Sequence, residues 1–214
     1  MSTDISPSSP REPVARHPAG GLAQHPAGGL ARHPAGGLAR PRTRFGYREY
    51  CCLPNDGRRH EIIDGDHYAT PAPSTTHQTV SKRLQYQLYT QIELAGLGLV
   101  FDAPCDVQLT DYDIVQPDLI VVLKDRARMI TPTKINGVPD LVVEILSPSI
   151  ASHDTELKKQ LYERTGVVEY WIADPENQKL DRYRLVDGGY RLEPPTDPAT
   201  ALGGSLQVPL ATIW

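Results

Sequence analysis

Two apolar runs constrain the fold of this chain more than any other feature: "PDLVVEIL" (Pro139 to Leu146) and "QPDLIVVL" (Gln116 to Leu123). Each reads as a buried strand, and each carries an acid where an apolar residue belongs, Glu144 in the first and Asp118 in the second. Breaking a buried charge pair leaves one carboxylate unpartnered and costs on the order of 3 to 5 kcal/mol, so each acid needs a partner. Alternate residues of a strand share a face. Val142, Glu144 and Leu146 therefore point one way, and Asp118, Ile120 and Val122 also lie together. If the two runs are neighbours in one sheet, both acids point into the same space. Two like charges there need neutralising. A divalent cation held by hard oxygen ligands, Mg²⁺ or Mn²⁺, does so directly. The alternative is that each acid sits at a strand end, bonded to a turn or paired with an arginine.

The surrounding sequence supplies the rest of a sheet and its helices. Asp64-Gly65 in "RHEIIDGDHYAT" is a hairpin signal. Val80, Leu84, Leu88 and Ile92 recur every four residues and predict a helix that starts near the capping oxygens of Ser74 to Thr76 and ends at Gly96. Three strand-like runs follow, "GLVFDAPCDVQL", "DIVQPDLIVVL" and "PDLVVEIL", the last two separated by a loop or short helix, "KDRARMITPTKINGV". A second helix spans Asp154 to Thr165 with Gly166 at its C-cap. Beyond it come a strand, a turn around Pro175 to Asn177 and a hairpin turning at Asp187-Gly188-Gly189. "SLQVPLATIW" is expected to pack back on the body through Leu210, Ile213 and Trp214. This order predicts an α/β (α+β) fold, a central mixed sheet flanked by helices with a C-terminal hairpin.

The N-terminal residues 1–41 read differently. Arg16 to Ala39 is one eight-residue unit written three times, "RHPAGGLA", "QHPAGGLA" and "RHPAGGLA", with Pro, two Gly and a single Leu per copy. Such a segment cannot bury enough apolar surface to offset its chain entropy, so a disordered tail is expected, followed by one domain over 42–214. One His per repeat on flexible, Gly-rich chain makes a poor chelate, and repeat slippage accounts for the pattern equally well. The chain has a net charge of −4, and the tail carries four basic and two acidic residues, so the domain stands near −6. That argues against strong non-specific nucleic-acid binding while leaving room for a local basic cleft. Cys51, Cys52 and Cys105 show no CxxC spacing and imply neither a disulfide frame nor a zinc site. With no apolar run of membrane-spanning length and no signal-peptide core, a soluble cytoplasmic protein without a membrane partner is expected.

A lysine completes the constellation. In "SHDTELKKQLYERTG", Leu157, Leu161 and Tyr162 mark the inner side of the second helix, and Lys158 stands one turn before Tyr162 at the border of that face. From there it can reach past the strand end towards the acids. The alternative is a surface Asp154–Lys158 pair, worth only about 0.3–0.5 kcal/mol.

An acid, then a Glu-bearing strand, then a lysine is the constellation of PD-(D/E)XK nucleases. The chain further resembles a bacterial family of that fold, the predicted restriction-endonuclease-like proteins found in many paralogous copies in cyanobacteria and actinobacteria. The segments that carry the resemblance are "HEIIDGD", "PSTTHQ", "QPDLIVV", "PDLVVEILSPS", Asp154 with Lys158 and Tyr162, and "GVVEYWIADP", in the family's order. The resemblance implies a metal held by Asp118, Glu144 and the backbone carbonyl of Ile145. It also implies that Glu61 leans into the same site as a metal or water ligand. Read from the residues alone, Glu61 is a strand acid before a turn. In the parent motif the lysine follows two residues after the glutamate, where this chain has Leu146, and Lys158 resembles a migrated replacement. The expectation is a Mg²⁺- or Mn²⁺-dependent endonuclease acting on nucleic acid, DNA in the first instance, through Glu61, Asp118, Glu144 and Lys158, with His77 as a candidate phosphate contact. The rival is a nuclease-fold module that binds nucleic acid or a protein partner without cutting. A nucleotide hydrolase is disfavoured because no glycine-rich phosphate loop is present. A homodimer pairing through "YRLVDGGYRL" fits an enzyme that cuts two strands.

Overall fold

The computed structural model describes residues 31–32, 43–147 and 152–214, with backbone alone at 31–32 and 152–154. The expected disordered tail lies outside the described residues except for Ala31 and Arg32, which pair antiparallel with Ala69 and Tyr68. Strands β1 (Arg59–Ile63) and β2 (Asp66–Thr70) form the first hairpin. Its turn residues Asp64 and Gly65 both take positive φ, 52° and 77°, the mirror-image turn that matches strand twist. Helix α1 (Thr75–Leu88) is capped by Ser74, whose Oγ accepts from the His77 amide. It continues as a π-helical turn, Tyr89–Glu93. A strict four-residue apolar repeat outruns the 3.6-residue turn, and the wider turn returns Ile92 to the buried side with Val80, Leu84 and Leu88.

The chain then runs through β3 (Gly98–Asp102), β4 (Val107–Thr110), β5 (Asp113–Val115), β6 (Leu119–Leu123) and β7 (Leu141–Ile145). Helix α2 (Ser152–Thr165) crosses to β8 (Glu169–Asp174), and β9 (Lys179–Val186) turns into β10 (Gly189–Leu192). A small ribbon of β11 (Ala199–Ala201) and β12 (Leu206–Val208) closes the fold. Among the described residues the central sheet has the order β10-β9-β8-β7-β6-β3. Its β7 and β8 are parallel, joined by the α2 crossover, and its other pairs are antiparallel, so the sheet is mixed as expected.

Two runs expected as single strands each divide between sheets. "GLVFDAPCDVQL" breaks at Pro104 into β3 and β4, and "DIVQPDLIVVL" breaks at Pro117 into β5 and β6. Proline has no N–H for a ladder, so each break is where pairing stops. The halves β4 and β5 join β1 and β2 in a second sheet, ordered β2-β1-β5-β4, with Ala31–Arg32 beside β2 and Ile135–Asn136 beside β4.

The two faces of the central sheet have different covers. Leu119, Val121, Leu141, Val143, Ile145 and Trp171 pack against α1, β11, β12 and Ile213, with Leu210 and Trp214 at the margin. Ile120, Val122, Val142, Tyr170 and Ile172 pack against Leu161 and Tyr162 of α2 and against Ile63, Val107 and Val115 of the second sheet. The hairpin β9–β10 turns Tyr183 and Tyr190 inward against this second cluster and leaves Leu192 exposed. The three cysteines are free, and among the described residues no helix is long and apolar enough to cross a membrane.

Candidate functional site

Asp118 lies at the seam where the chain passes from the second sheet to the central one. Strand β6 runs antiparallel to β7 with Leu119 opposite Val143, so extending that register by one pair sets Asp118 opposite Glu144. Both belong to the face covered by α2 and the second sheet. In β1, Arg59 and Glu61 share a side by strand alternation, and both reach this space. Helix α2 adds Lys158 and Tyr162, one turn apart on its inner side. The acids are deeply buried, with Glu61 at 2%, Asp118 at 3% and Glu144 at 8% exposure.

Each acid is met by donors. Asp118 accepts from Arg59 Nη1 through Oδ1 (2.6 Å), and from the Ile145 amide (2.8 Å) and His77 Nε2 (3.0 Å) through Oδ2. A carboxylate only accepts, so His77 Nε2 carries a hydrogen. Glu144 Oε1 accepts from Lys158 Nζ at 2.9 Å and from the Tyr162 hydroxyl at 2.6 Å. Lys158 also donates to Glu61 Oε1 at 3.0 Å, and the Gln116 amide donates to the same oxygen at 2.8 Å. Glu144 is tolerated in an apolar strand because a lysine and a tyrosine from the neighbouring helix satisfy it.

The electrostatics follow from this arrangement. Burial pushes the Asp118 carboxyl up, but the His77 hydrogen bond, the Arg59 charge and the Ile145 amide outweigh it and hold the group down at about 2. Glu144 goes the other way. Burial raises it, the neighbouring Asp118 and Glu61 charges add to the rise, and Lys158 only partly opposes them. Lys158 is penalised by burial, yet the charges of Glu144 and Glu61 prevail and hold its proton well above the ordinary lysine range. Burial and the Glu144 charge raise the Tyr162 hydroxyl well above the ordinary tyrosine range, so it stays a donor.

Beside Asp118 opens a cleft of about 950 Å³, whose walls include Arg58, Arg59, His60, His77, Gln78 and Lys82. Among the described residues, the buried side-chain nitrogens and oxygens with no hydrogen-bond partner are Arg59 Nε, Glu61 Oε2, His77 Nδ1 and Gln116 Oε1. All four belong to residues around Asp118 and Glu61. Buried polar groups are ordinarily paired, so their convergence on one place marks a site with unused polar capacity. No cluster of three or more His, Cys, Asp or Glu side chains among the described residues is arranged as a ready-made metal cage.

The structure brings Glu61, Asp118, Glu144 and Lys158 together, with Ile145 contributing its amide to Asp118. The surface Asp154–Lys158 pair gives way to a buried lysine bridging two glutamates; the side chain of Asp154 lies outside the described residues. Asp118 is paired with an arginine, Arg59. His77 is in the site, bonded to Asp118 and also lining the cleft. The sequence reading missed Arg59 and the hydroxyl of Tyr162. A signal for Arg59 was present, because strand alternation puts it on the side of Glu61.

The family described as "Uma2: Putative restriction endonuclease" matches residues 47–212. An uncharacterized protein of Synechocystis sp. is 28% identical over 133 residues, covering 61% of this chain and 68% of that protein. The crystal structure of a "putative nuclease belonging to DUF820" from Anabaena variabilis superposes with a TM-score of 0.66 at 18% identity. It covers 79% of this chain and 97% of the other, and at that identity it shows a shared fold.

Proposed function

The chain belongs to the Uma2 family, and from that premise we propose that it is a metal-dependent endonuclease that hydrolyses phosphodiester bonds, with DNA as its substrate. The observation that carries the reading is the convergence of Glu61 and Glu144 on Lys158 beside Asp118, which itself lines a cleft walled by Arg58, Arg59 and Lys82.

The donor set fits a hard cation in kind: carboxylate oxygens from β1, from β7 and from the residue just before β6, with Glu61 Oε2 unshared. Asp118, Glu144, the carbonyl of Ile145 and Glu61 would hold Mg²⁺ or Mn²⁺. When bound, such an ion supplies charge neutralisation at the phosphate and an acidified water. Lys158 is held between Glu144 and Glu61, whose charges raise its proton above the ordinary lysine range, so it is placed as a positive charge that positions the two acids. Tyr162 and Lys158 fix the rotamer of Glu144, while His77 and the Ile145 amide fix that of Asp118. The basic residues of the cleft offset the acidic net charge locally and suit an anionic strand. A second copy meeting the first at the β9–β10 hairpin would present two such sites, and a dimeric mass by light scattering is the expected check.

Incubating supercoiled plasmid and a single-stranded oligonucleotide with Mg²⁺, Mn²⁺ or EDTA tests the reading. Cutting is expected only with the cation, and it is expected to vanish in Asp118→Ala and Glu144→Ala and to collapse in Lys158→Ala. A second reading, a nuclease-fold module that binds without cutting, is favoured by one observation: Arg59 and Lys158 already neutralise the acids from within. Retention of DNA with no cleavage under any cation would select it.

A further inference from the structure

Arg59 stands between the acids and the cleft. Its Nη1 is bonded to Asp118 Oδ1 at 2.6 Å and lies 3.3 Å from the Gln116 carbonyl, while its Nε is buried with no partner. A guanidinium offers five N–H donors in a planar fork, and here that fork is incompletely used. The side chain is 20% exposed and lines the open cleft together with Arg58 and Lys82. The other groups on Asp118 have no such freedom. His77 is 4% exposed on a short side chain, and the Ile145 donor is backbone. Lys158 is held by two carboxylates and does not line the cleft.

Three donors already share the two oxygens of Asp118. A divalent cation on the same carboxylate would face a guanidinium at hydrogen-bond range, and like charges that close in a buried site repel strongly. One of the two must leave, and Arg59 has both the stem and the space to do so.

We propose that Arg59 is a displaceable counter-ion, which neutralises Asp118 in the free protein and turns into the cleft to grip a substrate phosphate when a divalent cation takes that carboxylate. The proposal rests on the reading of Asp118 and Glu144 as a cation site. Its consequence is coupling. The cation frees the arginine for the phosphate, and a bound phosphate draws the arginine off Asp118, so each ligand tightens the other by the same factor. Bidentate recognition of phosphate suits an arginine better than the single contact it makes on Asp118.

Calorimetric titration of the full chain with Mn²⁺, with and without a nuclease-resistant phosphorothioate oligonucleotide, tests this. The wild type is expected to bind Mn²⁺ more tightly when the oligonucleotide is present. Removing one charge-assisted hydrogen bond that competes for Asp118 is expected to tighten Mn²⁺ binding by about tenfold in Arg59→Gln, with weaker oligonucleotide binding and no coupling. Mn²⁺ binding by Arg59→Gln but not by the wild type would support the proposal more strongly still. Unchanged or weaker Mn²⁺ binding in a folded Arg59→Gln overturns it and leaves the cation site standing. No Mn²⁺ binding in either protein removes the cation site and the proposal together. If Arg59→Gln does not fold, the wild type decides: the Arg59 Nε–H resonance, assigned by its loss in Arg59→Lys, is expected to move as Mg²⁺ is added. A resonance that stays in place while Mg²⁺ binds overturns the proposal.

Discussion

Strands β6 and β7 present two faces that obey different rules. On one, Leu119, Val121, Leu141, Val143 and Ile145 meet α1 and the C-terminal segment as one continuous apolar cluster. On the other, Ile120, Val122 and Val142 are flanked by Asp118 and Glu144, and the cover brings Arg59, Glu61, Lys158 and Tyr162 to meet them. Stability on the first face is a matter of filled volume. On the second it is a matter of charge balance, where removing one partner exposes the full cost of burying another. Of the buried side-chain polar atoms without a partner among the described residues, those of Arg59, Glu61 and Gln116 belong to the cover of the second face, and that of His77 to the start of α1, where the helix reaches Asp118.

Substitutions on each face should therefore fail in different ways. The largest effect is expected for Lys158→Met, which strands Glu61 and Glu144 without their shared cation and should cost about 3–5 kcal/mol in urea unfolding at neutral pH. Because a stranded glutamate can take up a proton, part of that loss should return on acidification. A loss that does not depend on pH would break the distinction between the faces. Leu119→Ala on the apolar face should cost about 3 kcal/mol through the cavity it leaves, with no pH dependence of the loss and an unchanged Mn²⁺ titration.

The pH profile sharpens the comparison within the polar face. Asp118 is depressed in the fold to about 2, so its contribution is complete above the unfolded value near 3.9 and is lost as pH falls through about 2. Replacing it by Asn should flatten that acid limb by roughly 2–3 kcal/mol in stability measured against pH. Glu144 is raised, so it acts with the opposite sign and favours the fold below its unfolded value, losing that contribution as pH rises through its folded value. The smallest effect is expected for Tyr162→Phe. It removes one hydrogen bond to a carboxylate that keeps its lysine, at about 1–2 kcal/mol by thermal unfolding.

Much of this was legible in the residues. Period-two alternation put Asp118 and Glu144 on strand faces that could meet, and the boundary position of Lys158 on its helix pointed at the same space. The register that sets the two acids opposite each other was not legible, because it depends on pairing between segments far apart in sequence. The switch of sheets at Pro117 was missed for a different reason. A proline stops a ladder, but nothing local says where the chain goes next. Arg59 opens the run before the hairpin and drew no reading of its own, and only the second sheet folding over the central one shows that it reaches Asp118.

The lysine's place on α2 carries a wider consequence. In a motif that keeps glutamate and lysine on one strand, their separation is fixed by covalent geometry. Here the 2.9 Å between Lys158 and Glu144 is set by how a crossover helix seats on a sheet, through Leu161 and Tyr162. Small changes under that helix can therefore retune the charge at the site while every residue of the site stays the same.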